Sequence, residues 1–213
     1  MITQPSLAEL TESALLGELM ADPTWWRGRI MNVVGFPDIA HYLREVSCAG
    51  LPGEPVGDVD VLVIPDGAPE RSIAIQAKRI KVGQNAFVTG QPNLLTKLPK
   101  LRQQANLLAE IGFSQTYCYV FVVVDSRQNN NGEFRYDGLD RKLREKLESI
   151  DLLSDLDERV GVMRFEMVQP VDDRPLGAGT FAGRCVRLAK QQVQPPEVTE
   201  WVLKAKDRLA SAA

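Results

Sequence analysis

The chain has 213 residues, 44% of them hydrophobic and 25% charged, enough for one α/β domain with a sizeable core. It has no apolar run long enough to span a bilayer, and its first residues, MITQPSLAELTESALL, lack the basic start and apolar stretch of a secretory signal, so a cytoplasmic protein without a membrane partner is expected. Three scattered cysteines with no CxxC spacing and a single histidine, His41, exclude an ordinary zinc site and suit a reducing cytosol.

In chain order, residues 6–20 read as an amphipathic helix with Ser6 or Thr3 as its cap. The segment ADPTWW breaks it, and the two tryptophans, Trp25 and Trp26, are assigned to packing rather than to base stacking. Residues from about 29 to 46 read as helix again, divided at Gly35 and Pro37, with Asp38 capping the second piece, IAHYLREV. After the loop SCAGLPGEPVG come two β-forming runs, VDVLVI (59–64) and SIAIQAKRI (72–80), joined by the turn residues PDGAPE into a hairpin. A loop over 82–95 leads to a basic, Gln-rich helix at about 96–110, with Pro99 in its first turn. The run FSQTYCYVFVVVD (113–125) has an unbroken apolar centre, which predicts a strand buried on both faces of a mixed or parallel sheet. A polar loop, SRQNNNGEF, a helix, GLDRKLREKLES, a further strand, VGVMRFEMV, and a terminal helix at about 195–211 complete the chain. This order predicts a single domain over 1–213, an α/β fold with a mixed central sheet flanked by helices. No GxxxxGK[ST] or GxGxxG follows a strand, so neither an NTPase nor a dinucleotide reading is supported.

The net charge of −3 conceals a segregation of charge. Between Arg71 and Ala109 there is no Asp or Glu, whereas Arg71, Lys78, Arg79, Lys81, Lys97, Lys100 and Arg102 are all basic; the rest of the chain holds 18 basic against 28 acidic residues. A local basic face is what phosphate binding requires, and Arg79, Lys81, Lys97, Lys100 and Arg102 are the candidate nucleic-acid contacts.

The hairpin concentrates the remaining chemistry. Side chains alternate across a strand, so Gln76 and Lys78 share one face while Ala77 points into the core, and Asp58 and Asp60 share a face on the preceding strand. Antiparallel pairing is expected to bring Asp58 and Asp60 beside Gln76 and Lys78. Asp60 is a hard oxygen ligand suited to Mg²⁺ or Mn²⁺, with the Gln76 side-chain carbonyl and the Ala77 main-chain carbonyl as neutral partners. Lys78 is suited to orienting or deprotonating water, or to stabilising charge on a phosphate.

The string GDVDVLVI…SIAIQAKRIK resembles the PD-(D/E)xK nuclease superfamily, and QAKR is similar to the Q-x-K variant of Mrr-like restriction endonucleases. The resemblance covers about 38–125 and implies a restriction-endonuclease-like core. In it Asp60 matches the metal-binding aspartate, Gln76 the acid-or-glutamine position and Lys78 the catalytic lysine. Glu45 in HYLREV is the best match to a glutamate carried on the first core helix, and Glu54 a weaker one. The implied activity is that of a Mg²⁺-dependent endonuclease, acting on DNA in preference to RNA, in restriction, phage defence or repair. Gln76 supplies one negative charge fewer than Glu, which points to a single ion or weaker metal binding. A homodimer and a protein partner both stay open. The alternative weighed beside it is a catalytically silent nuclease fold that binds nucleic acid or a protein partner, with Trp201, Leu203 and Leu209 on the terminal helix as the partner surface.

Overall fold

The β-forming runs pair into one six-stranded sheet in the order β1-β2-β3-β4-β5-β6. The structure, a computed structural model, describes residues 8–21, 26–32, 40–53, 57–83, 98–125, 145, 148, 151–169 and 181–210. Within these are α1 (Glu12–Ala21), α2 (Trp26–Asn32), β1 (Ala40–Ser47), β2 (Asp58–Pro65), a 3₁₀ turn (Pro69–Arg71), β3 (Ile73–Val82), α3 (Leu98–Ile111), β4 (Gln115–Asp125), β5 (Gly161–Gln169), β6 (Phe181–Arg187) and α4 (Pro196–Ala210). The sheet is mixed. β1, β2 and β3 run antiparallel to one another, β3, β4 and β5 run parallel, and β6 returns antiparallel to β5.

Helices cover both faces, and alternation along the strands decides which side chains they meet. On one face Val61 and Val63 of β2, Ile75 and Ala77 of β3, and Tyr119 and Phe121 of β4 pack with Leu15, Leu16 and Leu19 of α1 and Ile30 and Met31 of α2. On the other, Ile80, Val120 and Val122 meet Leu101 and Ala105 of α3. Leu62, Ile64 and Ala74 meet Phe113 and the α4 residues Val198, Trp201 and Val202. β4 is buried on both sides, as its apolar centre predicts.

Three expectations are corrected. The segment IAHYLREV is not helical: Ala40–Ser47 is the edge strand β1, paired with β2 from Ala40↔Pro65 to Ser47↔Asp58. Its Ala, Leu, Arg and Glu are good helix formers, but such preferences amount to only tenths of a kcal/mol per residue, and the ladder offered by the Val-rich β2 outweighs them. The first helix starts at Glu12 rather than residue 6, because Thr11 Oγ1 accepts the Ala14 N–H at 3.1 Å and caps it there. Trp201 is no partner surface: it is 3% exposed, lies edge-on to Phe113 at 5.9 Å, and donates from Nε1 to the Ala49 carbonyl at 3.0 Å. The proposed caps Ser6 and Thr3, the Gly35–Asp38 segment, Glu54, Trp25, Lys97, most of 82–95, the loop and helix of 126–149 apart from helical Glu145 and Glu148, and the Leu209 side chain lie outside the described residues.

Among the described residues no helix is long and apolar enough to cross a membrane.

Candidate functional site

The site forms where the sheet divides. Described ladder pairs between β2 and β3 are Val61↔Ile75, Leu62↔Ala74 and Val63↔Ile73. Beyond them β2 stays paired with β1 as far as Asp58, while β3 stays paired with β4 as far as Val82. The two strands therefore part at Asp60 and Gln76, and the expectation that Asp58 and Asp60 would be ladder neighbours of Gln76 and Lys78 is corrected to a fork. Parting the strands strips main-chain groups of their partners, and buried ones must find others.

Side chains bridge the fork. Asp60 Oδ2 accepts the Ala77 N–H at 2.7 Å, and Gln76 Nε2 donates to the Asp58 carbonyl at 2.7 Å. Gln76 is 2% exposed, so its amide is shielded from solvent where it meets the Asp58 carbonyl. Ala77 is buried with its side chain in the core beneath α1, as its alternation predicts. In a strand the N–H and C=O of one residue point to the same side. The Ala77 carbonyl therefore looks into the fork beside the N–H that holds Asp60.

A residue that sequence reasoning did not single out completes the cluster. Glu12, the first residue of α1, bonds through Oε1 to Lys78 Nζ, and through Oε2 it accepts the Arg79 N–H at 2.6 Å. Ala77 and Arg79 are alternate residues, so their N–H groups leave β3 on the same edge, and each meets a carboxylate. The available signal was the T-E pair at 11–12, an N-cap followed by an acid in a first helical turn. Glu45 takes a different place. It sits on β1 with φ 49, is exposed, and is missing from the otherwise regular β1–β2 ladder between Arg44↔Val61 and Val46↔Val59. His41, at the far end of β1, lies 3.8 Å from Asp66 Oδ1 and is remote from the fork.

The electrostatics follow from this crowding. Burial raises the Asp60 carboxyl to about 6, aided by the negative charges of Glu12 and Asp58 and opposed by the Ala77 N–H and by Lys78. Two thiols flank the fork: Cys48, which feels Asp58 and Asp60, is pushed up to about 11 chiefly by burial, and Cys118, beside Gln76 in the β3–β4 register, to about 12. Both are neutral near pH 7, so neither acts as a nucleophile.

The donor set is oxygen only: the Asp60 and Glu12 carboxylates, the Gln76 amide carbonyl and the Ala77 main-chain carbonyl. Hard cations such as Mg²⁺ take such ligands. Among the described residues no three His, Cys, Asp or Glu side chains stand close enough to hold an ion by themselves. A cation at this point would have to draw on the neutral oxygens of Gln76 and Ala77 as well.

The basic candidates divide. Arg79 turns its guanidinium to main chain, with Nη1 donating to the Leu10 carbonyl and to Ala8 O at 3.5 Å. Arg102 likewise bonds the Asp151 carbonyl and lies 3.9 Å from Asp155, bracing the 151–155 turn. Lys100 is exposed on α3, one turn from Gln104, which is the nearest neighbour that a Cβ on Gly57 would meet, at 3.2 Å. Residues four apart share a helix face, so Lys100 stands on the side of α3 that borders the start of β2. Lys81 is half-buried on β3, beyond the fork.

Comparison with known proteins adds little. No protein-family model matches the chain, and no curated protein does. Among solved structures it is similar to SPO1766, a protein of unknown function from Silicibacter pomeroyi, at 12% identity and a TM-score of 0.36, over 81% of this chain and 75% of that one.

Proposed function

We propose that the protein is a divalent-cation-dependent endonuclease of the PD-(D/E)xK type, acting on DNA in preference to RNA. One observation carries the reading: Asp60, Gln76 and Lys78, which the resemblance selects, meet at the point where β2 and β3 part, with Ala77 between the last two and Glu12 beside them. Glu12, presented by α1, takes the place that the resemblance gives to a first-helix glutamate, for which the exposed Glu45 is poorly sited.

Asp60, the Gln76 carbonyl and the Ala77 carbonyl would hold the cation, with Glu12 at the rim. A bound Mg²⁺ or Mn²⁺ supplies Lewis acidity, lowering the pKa of water and neutralising phosphate oxygens. The chain's own residues supply the rest. The Ala77 N–H fixes the orientation of the Asp60 carboxylate, so little rearrangement is needed when a substrate arrives. Gln76 is locked by its bond to Asp58 O, which sets where its carbonyl points. Lys78 donates to the charge that grows on the phosphate as water adds to phosphorus and the P–O bond breaks. Lys100, on the α3 side of the sheet, and Lys81, which alternation puts on the α1 side with Ala77, would support the nucleic-acid backbone from either side of β3; such contacts position it without reading sequence.

The test is incubation with plasmid in Mg²⁺, in Mn²⁺ and in EDTA, beside Lys78→Ala. Metal-dependent nicking that disappears in the variant supports the proposal. A gel shift retained without cleavage supports instead a silent nuclease fold that binds nucleic acid, and neither signal at low salt sinks both.

A further inference from the structure

The ion pair between Glu12 and Lys78 carries an inference that rests on the nuclease reading and adds a role to it. Thr11 caps α1, so Glu12 is its first helical residue, and helical side chains lean toward the N-terminus, which carries this carboxylate past the helix end to the β3 edge. There its two oxygens do different things. Oε2 takes the Arg79 main-chain N–H, an immobile partner, at 2.6 Å, which leaves Oε1 to hold the Lys78 ammonium. Arg79 answers from the other direction, its guanidinium bonding the Leu10 and Ala8 carbonyls just ahead of the helix. Behind these contacts Leu15, Leu16 and Leu19 anchor α1 in the core. The lysine side chain is only 20% exposed and that of Glu12 33%.

A lysine alone is a mobile charge on a four-carbon stem with many rotamers. Alternation directs the Lys78 stem to the α3 side of the sheet, yet its ammonium is drawn to a carboxylate arriving from the α1 side, around the edge that the fork exposes. We propose that Glu12 is a positioning residue for Lys78, holding the ammonium at the mouth of the fork so that the docking of α1 sets where that charge meets a phosphate.

The experiment has two arms, both on the full chain. In the first, wild type and Glu12→Gln are treated with a water-soluble amine-acylating ester, and modification of Lys78 is compared by mass spectrometry with that of exposed Lys100 in the same molecule. The amide has a single acceptor oxygen and no charge, so the hold on the ammonium is lost, and the Lys78:Lys100 ratio should rise several-fold. Glu12→Asp, which keeps the charge on a shorter arm, should fall between, and it serves as the readout should Glu12→Gln melt at a lower temperature. In the second arm, Glu12→Gln should lose about 10²-fold in kcat, the cost of a misplaced catalytic group, with KM little changed. An unchanged acylation ratio overturns the proposal whether or not the protein cuts DNA. So does a raised ratio with unaltered kcat, or an effect confined to the cation concentration required. Inert wild-type protein sinks the nuclease reading alone, and the acylation ratio still decides whether Glu12 holds the lysine.

Discussion

At the scale of single residues, the fork stores an unfavourable charge. The Asp60 carboxyl titrates at about 6 in the folded chain against an ordinary 3.8, so the folded state binds its proton more readily than the unfolded chain does. The contribution of this group to stability is therefore greatest below about 3.8 and is lost as pH rises through 6. Above that, Asp60 is ionised in both states and the folded state bears the cost of a half-buried anion beside Glu12 and Asp58. Asp60→Asn keeps an oxygen for the Ala77 N–H and removes the charge. It should stabilise the protein at pH 7 by at most about 3 kcal/mol, the equivalent of a two-unit displacement, and the gain should fade below pH 4 in thermal melts run across pH. A destabilised Asp60→Asn at pH 7 would mean that the carboxylate is better compensated than its surroundings indicate. Divalent cation gives the complementary measurement: Mg²⁺ should raise the melting midpoint of wild type and leave that of Asp60→Asn unmoved.

At the scale of elements, the fork depends on both layers of helices. α4 docks through Val198, Val202 and Ala205 and through Trp201, whose ring meets Phe113 and whose Nε1–H reaches the Ala49 carbonyl in the turn after β1. Trp201→Ala should cost about 3–5 kcal/mol, the range for deleting a large buried ring, read as a fall in the urea midpoint. Trp201→Phe keeps most of the packing but loses the bond to the carbonyl of exposed Ala49, which water can take over, and should cost less, about 0.5–1.5 kcal/mol for the hydrogen bond. How much of this was legible follows the strength of local signals. Strands β2, β3 and β4 are runs rich in β-branched and aromatic residues that declare themselves, and alternation alone assigned Ala77 to the core and Gln76 and Lys78 to the opposite face. β1 did not declare itself, because AHYLREVS carries helix-forming residues and becomes a strand only through its ladder with β2. Nor was β6 read, since FAGRCVR alternates weakly and pairs only with β5. The fork itself was illegible for a related reason. Antiparallel pairing is the local expectation after a hairpin turn, whereas the parting of β2 from β3 is dictated by what each strand gains from β1 and β4. Glu12, distant in sequence, reaches the fork only because the leucines of α1 dock on the sheet.

At the scale of the whole molecule, the issue is whether a chain of net charge −3 can hold a polyanion. The acid-free stretch from Arg71 to Ala109 makes it possible in principle, yet its basic residues are unequal once folded. Arg79 and Arg102 brace main-chain carbonyls, Lys78 is held by Glu12, and exposed Arg71 sits in the 3₁₀ turn at the opposite end of the hairpin from the fork, so among the described residues of the stretch Lys81 and Lys100 are the better placed for phosphates near it. Few phosphate contacts imply a shallow dependence on salt, because each neutralised phosphate on a duplex adds about −0.9 to the slope of log K against log salt. Binding to a non-cleavable duplex, or to any duplex in EDTA, should therefore show a slope of roughly −2 to −3. Lys81→Ala and Lys100→Ala should each weaken binding similarly for unrelated sequences and reduce the slope by about 1. A slope several units steeper, unaffected by either substitution, would place the polyanion on a different surface. Cleavage would then have to be explained by a substrate path that does not run along β3 and α3.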